Sequence, residues 1–79
     1  MNTLNMTIGQ RTHGQYDFRK QIVLVESNDQ YYVEFTESRT CSGHTVTSKH
    51  TTDPIMDKVA ATVRFNEEVK AMKTAGYSS

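Results

Sequence analysis

Three residues in one short stretch have the side chains of a reactive or metal-binding centre: Cys41, His44 and His50, spaced Cys-x2-His and His-x5-His. A structural zinc needs four ligands, and the chain holds one cysteine only. A catalytic zinc keeps three protein ligands and an open position, so these three are the one set that could be tried. Cys41 beside His44 or His50 could also be written as a nucleophile and its base. That chemistry needs an orienting group and oxyanion donors as well, and no Gly-rich elbow or phosphate-cradling motif accompanies them. Glu34, Glu37, Asp53 and Asp57 form no paired-carboxylate pattern, and Glu67 and Glu68 fit an exposed helix face. The expectation is therefore no catalytic residue, no metal ligand and no cofactor.

The elements around these residues are organised by Gln21–Glu37, where two β-rich runs flank Asn28-Asp29. Asn and Asp accept the positive φ of a two-residue hairpin turn. That turn fixes the register: Ser27 opposite Gln30, Leu24 opposite Val33, Ile22 opposite Phe35 and Lys20 opposite Glu37. A slip by one residue would reverse every side chain. Leu4, Met6 and Ile8 alternate with polar residues and predict a first strand, its apolar side inward. Gly9–Gln15 reads as a loop, and Tyr16 and Phe18 extend the second strand backwards. Ser38–Gly43 reads as a turn region. Thr45-Val46-Thr47 predicts a short edge strand, which Lys49 helps to protect.

Thr52-Asp53-Pro54 predicts a helix start, with Asp53 as cap and Pro54 in the first turn, and Gly76 predicts its stop. The apolar residues of 54–75 fall in two groups. Ile55, Met56, Val59, Ala60 and Val63 make one stripe; Phe65, Val69 and Met72 make another, rotated by about 150°. Either the helix kinks near Arg64–Asn66 so that both reach the core, or the second stripe is an interface. The fold class expected is α+β: an antiparallel β-meander of three to four strands with one C-terminal helix packed on one face. Residues 1–79 make a single domain, with 75–79 as a tail.

Seventy-nine residues bury only about 60% of their unfolded surface, so the core is thin. Nine basic and nine acidic residues cancel, which argues against a sequence-independent grip on phosphates and so against direct nucleic-acid binding. The helix start at Asp53–Asp57 is acidic, unlike the basic one that a double-stranded-RNA-binding fold uses. The longest apolar run, Ile22–Val25, is too short for a membrane. A lone cysteine and no signal peptide at Met1 point to a reducing cytosol.

What remains is a binding surface. In the hairpin register Val23, Val25, Tyr32 and Glu34 point away from the face that a helix would cover. The contiguous apolar part of such a group, ringed by Arg19, Gln21, Glu34 and Thr36, marks a contact site, and tyrosine is a favoured anchor. Phe65, Val69 and Met72 are the second candidate surface. The chain expected is a monomer or homodimer that binds a protein partner.

A short frame opening at Met1, strand pairs around Asn28-Asp29, a helix opened by Thr52-Asp53-Pro54 and no catalytic motif together resemble the small inhibitors carried by bacteriophages and mobile elements, especially anti-CRISPR proteins. The resemblance implies stoichiometric blocking of a CRISPR–Cas effector in the host cytoplasm, by masking a DNA-binding surface or stopping nuclease recruitment. It assigns no functional residues. The alternative is a small nucleic-acid-binding or regulatory domain.

Overall fold

The computed structural model describes residues 1–78. Four strands, β1 (Asn2–His13), β2 (Tyr16–Ser27), β3 (Gln30–Cys41) and β4 (His44–Thr51), form an antiparallel meander in the order β1-β2-β3-β4. The helix α1 (Lys58–Thr74) follows and packs on one face.

All three connections are two-residue turns, and their backbone angles explain their sequences. Asn28 and Asp29 have φ of 53° and 62°, and Ser42 and Gly43 of 52° and 81°. Positive φ at both central positions is the turn whose twist matches paired strands. At Gly14-Gln15 only Gly14 is positive, at 61°. These tight turns let three strands run to twelve residues each. The expected loop Gly9–Gln15 is thus mostly strand, and the expected turn at Ser38–Gly43 narrows to its last two residues.

The β2–β3 register is the expected one, with Leu24 opposite Val33, Ile22 opposite Phe35 and Lys20 opposite Glu37. Lys20 Nζ lies 3.3 Å from a Glu37 carboxylate oxygen. Ile22, Leu24, Val33 and Phe35 face the helix and meet Ala61, Phe65 and Met72 in the core, with Tyr31, Ile55, Val69 and Tyr77 packed at its edge.

Three expectations fail, for related reasons. First, β1 presents Asn5, Thr7, Gly9 and Arg11 to the helix side, because they lie opposite Leu24, Ile22, Lys20 and Phe18. Leu4, Met6 and Ile8 are exposed instead of inward. Space dictates this. A Cβ on Gly9 would stand 2.9 Å from Met72 Cε, closer than real contacts allow, and 3.0 Å from Tyr77 Cβ, tighter than most. The helix end closes on β1 most tightly at position 9, where a glycine avoids the clash that a side chain would meet.

Second, the helix begins late. Ile55 exchanges both of its main-chain hydrogen bonds with Tyr31, and Thr52 donates to the Val33 carbonyl. This extended stretch continues the β3 edge beyond β4, so Asp53-Pro54 cannot start a helix. Asp57 is the cap, its side chain accepting from the Ala60 N–H at 3.2 Å.

Third, the helix is uninterrupted through Arg64–Asn66, and its inner stripe is Ala61, Phe65, Val69 and Met72. Phe65 and Met72 are buried and Val69 is partly buried. None of the three offers an open surface to a partner, so of the two roles considered for them the core is the one observed. The stripe expected inside turns outward: Met56, Val59 and Val63 are exposed.

The helix closes with Gly76 at φ 98°. Gly76 N–H donates to Lys73 O and Tyr77 N–H to Met72 O, which satisfies two terminal carbonyls. The chain then pairs Ser78 with Gln10 through two 2.9 Å main-chain bonds. The expected tail is therefore anchored as far as Ser78; Ser79 lies outside the described residues. Arg11 secures this end. Its Nη1 donates to the Ala75 carbonyl at 2.9 Å, and its guanidinium lies over Phe18 and Tyr77, at 5.0 and 5.5 Å from the ring centroids. A cation at a helix C-terminus complements the helix dipole.

Candidate protein-binding face

The helix covers one side of the sheet, and among the described residues no other element covers the reverse. Across that reverse face the pairing sets three rows. Thr3, Val25 and Tyr32 form one; Met6, Val23, Glu34 and Thr51 the next; Ile8, Gln21, Thr36 and Lys49 the third. Met6, Ile8, Val23, Val25 and Tyr32 are thus neighbours, with Glu34, Gln21, Thr36 and Lys49 on the polar side. Alternation along strands requires this outcome once the inner face is fixed.

Exposure differs among them. Met6 is 50% exposed and Ile8 37%, whereas Val25 is only 3% exposed although it faces away from the helix. Val25 sits between Thr3 and Tyr32 and serves as the floor of the cluster. Val23, Tyr32 and Glu34 are half-buried. Two polar contacts hold its border: Tyr32 Oη donates to Gln30 Oε1 at 2.8 Å, and Gln21 Nε2 approaches Met6 Sδ at 3.0 Å. The surface available to a partner is therefore wider than Val23, Val25, Tyr32 and Glu34. Its most exposed members, Met6 and Ile8, come from β1. Period-2 alternation was the signal for that strand, but it does not say which side faces in.

The chemistry-bearing residues are not assembled. Cys41 lies opposite His44 beside the 42–43 turn, but His50 lies opposite Phe35, roughly 20 Å further along β4 at 3.3 Å per residue. His50 stacks on Phe35 at 5.7 Å between ring centroids. Cys41 Sγ has Ser42 Oγ at 3.9 Å. Among the described residues no three His, Cys, Asp or Glu side chains lie close enough to hold one metal ion. Glu37 pairs with Lys20 and Glu68 with Arg64, at 3.3 and 3.1 Å. These two pairs, with Phe35, Ser48 and His50, line an open cleft between sheet and helix, so its four charged side chains are paired with one another. Away from this cleft, beside the 28–29 turn, hydrogen bonding to the Glu26 carboxylate, its cross-strand neighbour, holds the Tyr31 phenol above its ordinary 10.0.

Folding also sorts the charge. The half of the sheet that ends in the 14–15 and 42–43 turns, residues 9–20 and 36–50, carries five basic residues against two acidic ones. The remainder, including the helix, is acidic by the same margin. No helix of the described residues is long and apolar enough to cross a membrane. No protein-family model, curated protein or solved structure matches the chain.

Proposed function

We propose that the protein is a non-enzymatic binding module that acts stoichiometrically by covering a surface on a larger protein. The class of partner it fits is the one its resemblance to anti-CRISPR inhibitors implies, a CRISPR–Cas effector in a bacterial cytoplasm. One observation carries the reading: among the described residues one sheet face is left uncovered, and on its β1–β3 side Met6, Ile8, Val23 and Tyr32 form a contiguous apolar group with a polar border. Such groups mark contact sites, whereas single exposed hydrophobes do not. The test is titration against assembled effector complexes of several types, reading target cleavage. The expected result is inhibition that saturates at a fixed ratio of inhibitor to effector, and loss of it in Val23→Lys/Tyr32→Ser with the fold retained. Inhibition at far below one equivalent would indicate turnover and refute a masking mechanism; unchanged inhibition by the double variant would remove this face.

The segregation of charge favours a second reading, a small nucleic-acid-binding domain. It places Arg39 over the Tyr16 ring at 5.7 Å and Tyr16 against Phe18 at 6.0 Å between centroids. Salt decides between the readings. Phosphate binding weakens steeply from 50 to 200 mM salt, while an interface with an apolar centre changes little.

A further inference from the structure

We infer that β1 is a self-association edge: two copies of the chain pair through Asn5–Gly9, antiparallel about Thr7, to make one continuous eight-stranded sheet.

The main-chain geometry identifies the open groups. Gln10 uses both its N–H and its C=O on Ser78, on the side of β1 away from β2. Alternation then sends the N–H and C=O of Ile8 and Met6 to the same side, with no register shift between them and Gln10. The Met6 N–H confirms the direction, since no strand receives it and the adjacent Asn5 side chain accepts it at 2.8 Å. Among the described residues nothing else pairs with this edge from Asn2 to Gly9.

Unpaired edges normally carry charge or proline that repels another strand. The opposite edge, β4, has Lys49, His44 and His50. β1 has no charged residue and no proline from Asn2 to Gln10. Its first charge, Arg11, is engaged with the helix end. An edge without charge has no repulsive or desolvated group to oppose a second strand, and side-chain charge begins only at Arg11, so β1 lacks the usual guard against self-pairing.

Only one register avoids the obstacles on both sides. Centring on Ile8 would put Met6 opposite Gln10, whose edge Ser78 already fills. Centring on Met6 would put Ile8 opposite Leu4, where the β1–β2 register shifts. Centring on Thr7 sets Met6 of each copy opposite Ile8 of the other, Thr7 opposite Thr7 and Asn5 opposite Gly9. Beyond this span the bulge at Leu4 bends each strand away just where it would meet Ser78 of its neighbour. Asn5 releases the Met6 N–H to the new partner strand. Apolar pairs and Thr–Thr pairs at facing positions both stabilise antiparallel sheets. The two-fold axis stands normal to the sheet, so both helices stay on one side and the two apolar faces join into one on the other. The dimer does not depend on the proposed partner, and its test uses the protein alone.

The experiment combines mass, edge protection and a crosslink. Sedimentation equilibrium of the full chain is expected to show a species of twice the 9.0 kDa chain mass as concentration rises. Hydrogen exchange of the Ile8 amide should slow over the same range, while exposed turn amides do not change. Thr7→Cys in a Cys41→Ser background should oxidise to a covalent dimer, because facing residues of this pair type stand about 4.5 Å apart at Cα, within disulfide reach. Met6→Lys/Ile8→Lys places lysines opposite one another and should weaken dimerisation about tenfold or more while circular dichroism stays that of the parent. A chain that remains at 9.0 kDa with an unprotected Ile8 amide at the highest concentration overturns the inference. So does a dimer that survives the lysine variant, or that dissociates on Val59→Lys/Val63→Lys instead. Protection of Ile8 only when a different protein is added would assign the edge to a foreign strand and refute self-pairing.

Discussion

Gly9→Ala tests the placement on which the candidate face depends. The added methyl would stand 2.9 Å from Met72 Cε, 3.0 Å from Met72 Sδ and 3.0 Å from Tyr77 Cβ. Met72 is flexible but 1% exposed, so its end cannot move without displacing core neighbours. Tyr77 Cβ is fixed to a backbone held by the helix-terminal bond to Met72 O. Overpacking of this kind costs about 1–3 kcal/mol. Replacing glycine in a strand by alanine recovers about 0.5–1 kcal/mol from the unfolded chain. The net loss then lies between about 0 and 2.5 kcal/mol, centred near 1 kcal/mol or roughly 4–8 °C in melting temperature for a domain of this size. Urea unfolding followed by circular dichroism measures it. In a Met72→Ala background two of the three close contacts disappear, so the cost of Gly9→Ala should fall by about half or more in a double-mutant cycle. A Gly9→Ala protein more stable than the parent, with no coupling to Met72→Ala in the cycle, would mean that the helix end does not close on β1. The outward placement of Met6 and Ile8 would then fall with it.

Phe65→Ala should cost about 3–5 kcal/mol, whereas Val63→Lys, two residues away but 49% exposed, should stay within about 0.5 kcal/mol; equal effects would reverse the assignment of the inner stripe. Asp57→Ala should cost about 1 kcal/mol through loss of the cap and Asp53→Ala almost nothing, read by thermal unfolding; the opposite order would restore the helix start at Pro54. Glu26→Gln should lower the Tyr31 phenol titration toward 10.0, followed by NMR. Because the folded-state value is the raised one, the stabilisation this contact supplies is complete below pH 10.0 and is lost as pH rises through the folded value, so the variant should differ from the parent below that range and converge with it above.

The central hairpin was legible because its turn residues and its pairing are local and mutually checking. Asn28-Asp29 fixes a register, and Lys20–Glu37 and Leu24–Val33 then agree with it. β1 was legible as a strand but not as a face. Its alternation is symmetrical in form, with Leu4, Met6 and Ile8 on one side and Asn5, Thr7 and Gly9 on the other. The inner side was decided by a residue with no side chain at all. The helix stripe misled for the same reason: Ala61, wholly buried, gives a weaker hydrophobic signal than Val59 or Val63, which are exposed. Where helix and strand approach closely, the small residue marks the contact and the large one is pushed to the other side.

That inversion explains why the candidate face is broader than the hairpin alone predicts. A four-stranded sheet with one helix has two faces and one cover. Sequence reading assigns the strongest apolar residues to the covered side, because burial is the default for them. Here the covered side is completed by Gly9, Thr7 and Ala61, so β1 has apolar side chains to spare on the reverse. With Leu4, Met6 and Ile8 exposed beside half-buried Val23, the sheet holds more apolar surface than its fold consumes. A contiguous apolar surface of this kind marks a contact site. The bare face and the uncharged edge of β1 meet at the same two residues, Met6 and Ile8. Pairing along the edge would shorten the exposed border of each apolar group while enlarging the face presented to a third molecule. Lysines at Met6 and Ile8 should therefore remove the dimer and weaken partner binding together, because these two residues belong to both surfaces, whereas Val23→Lys/Tyr32→Ser should remove the partner while the dimer remains.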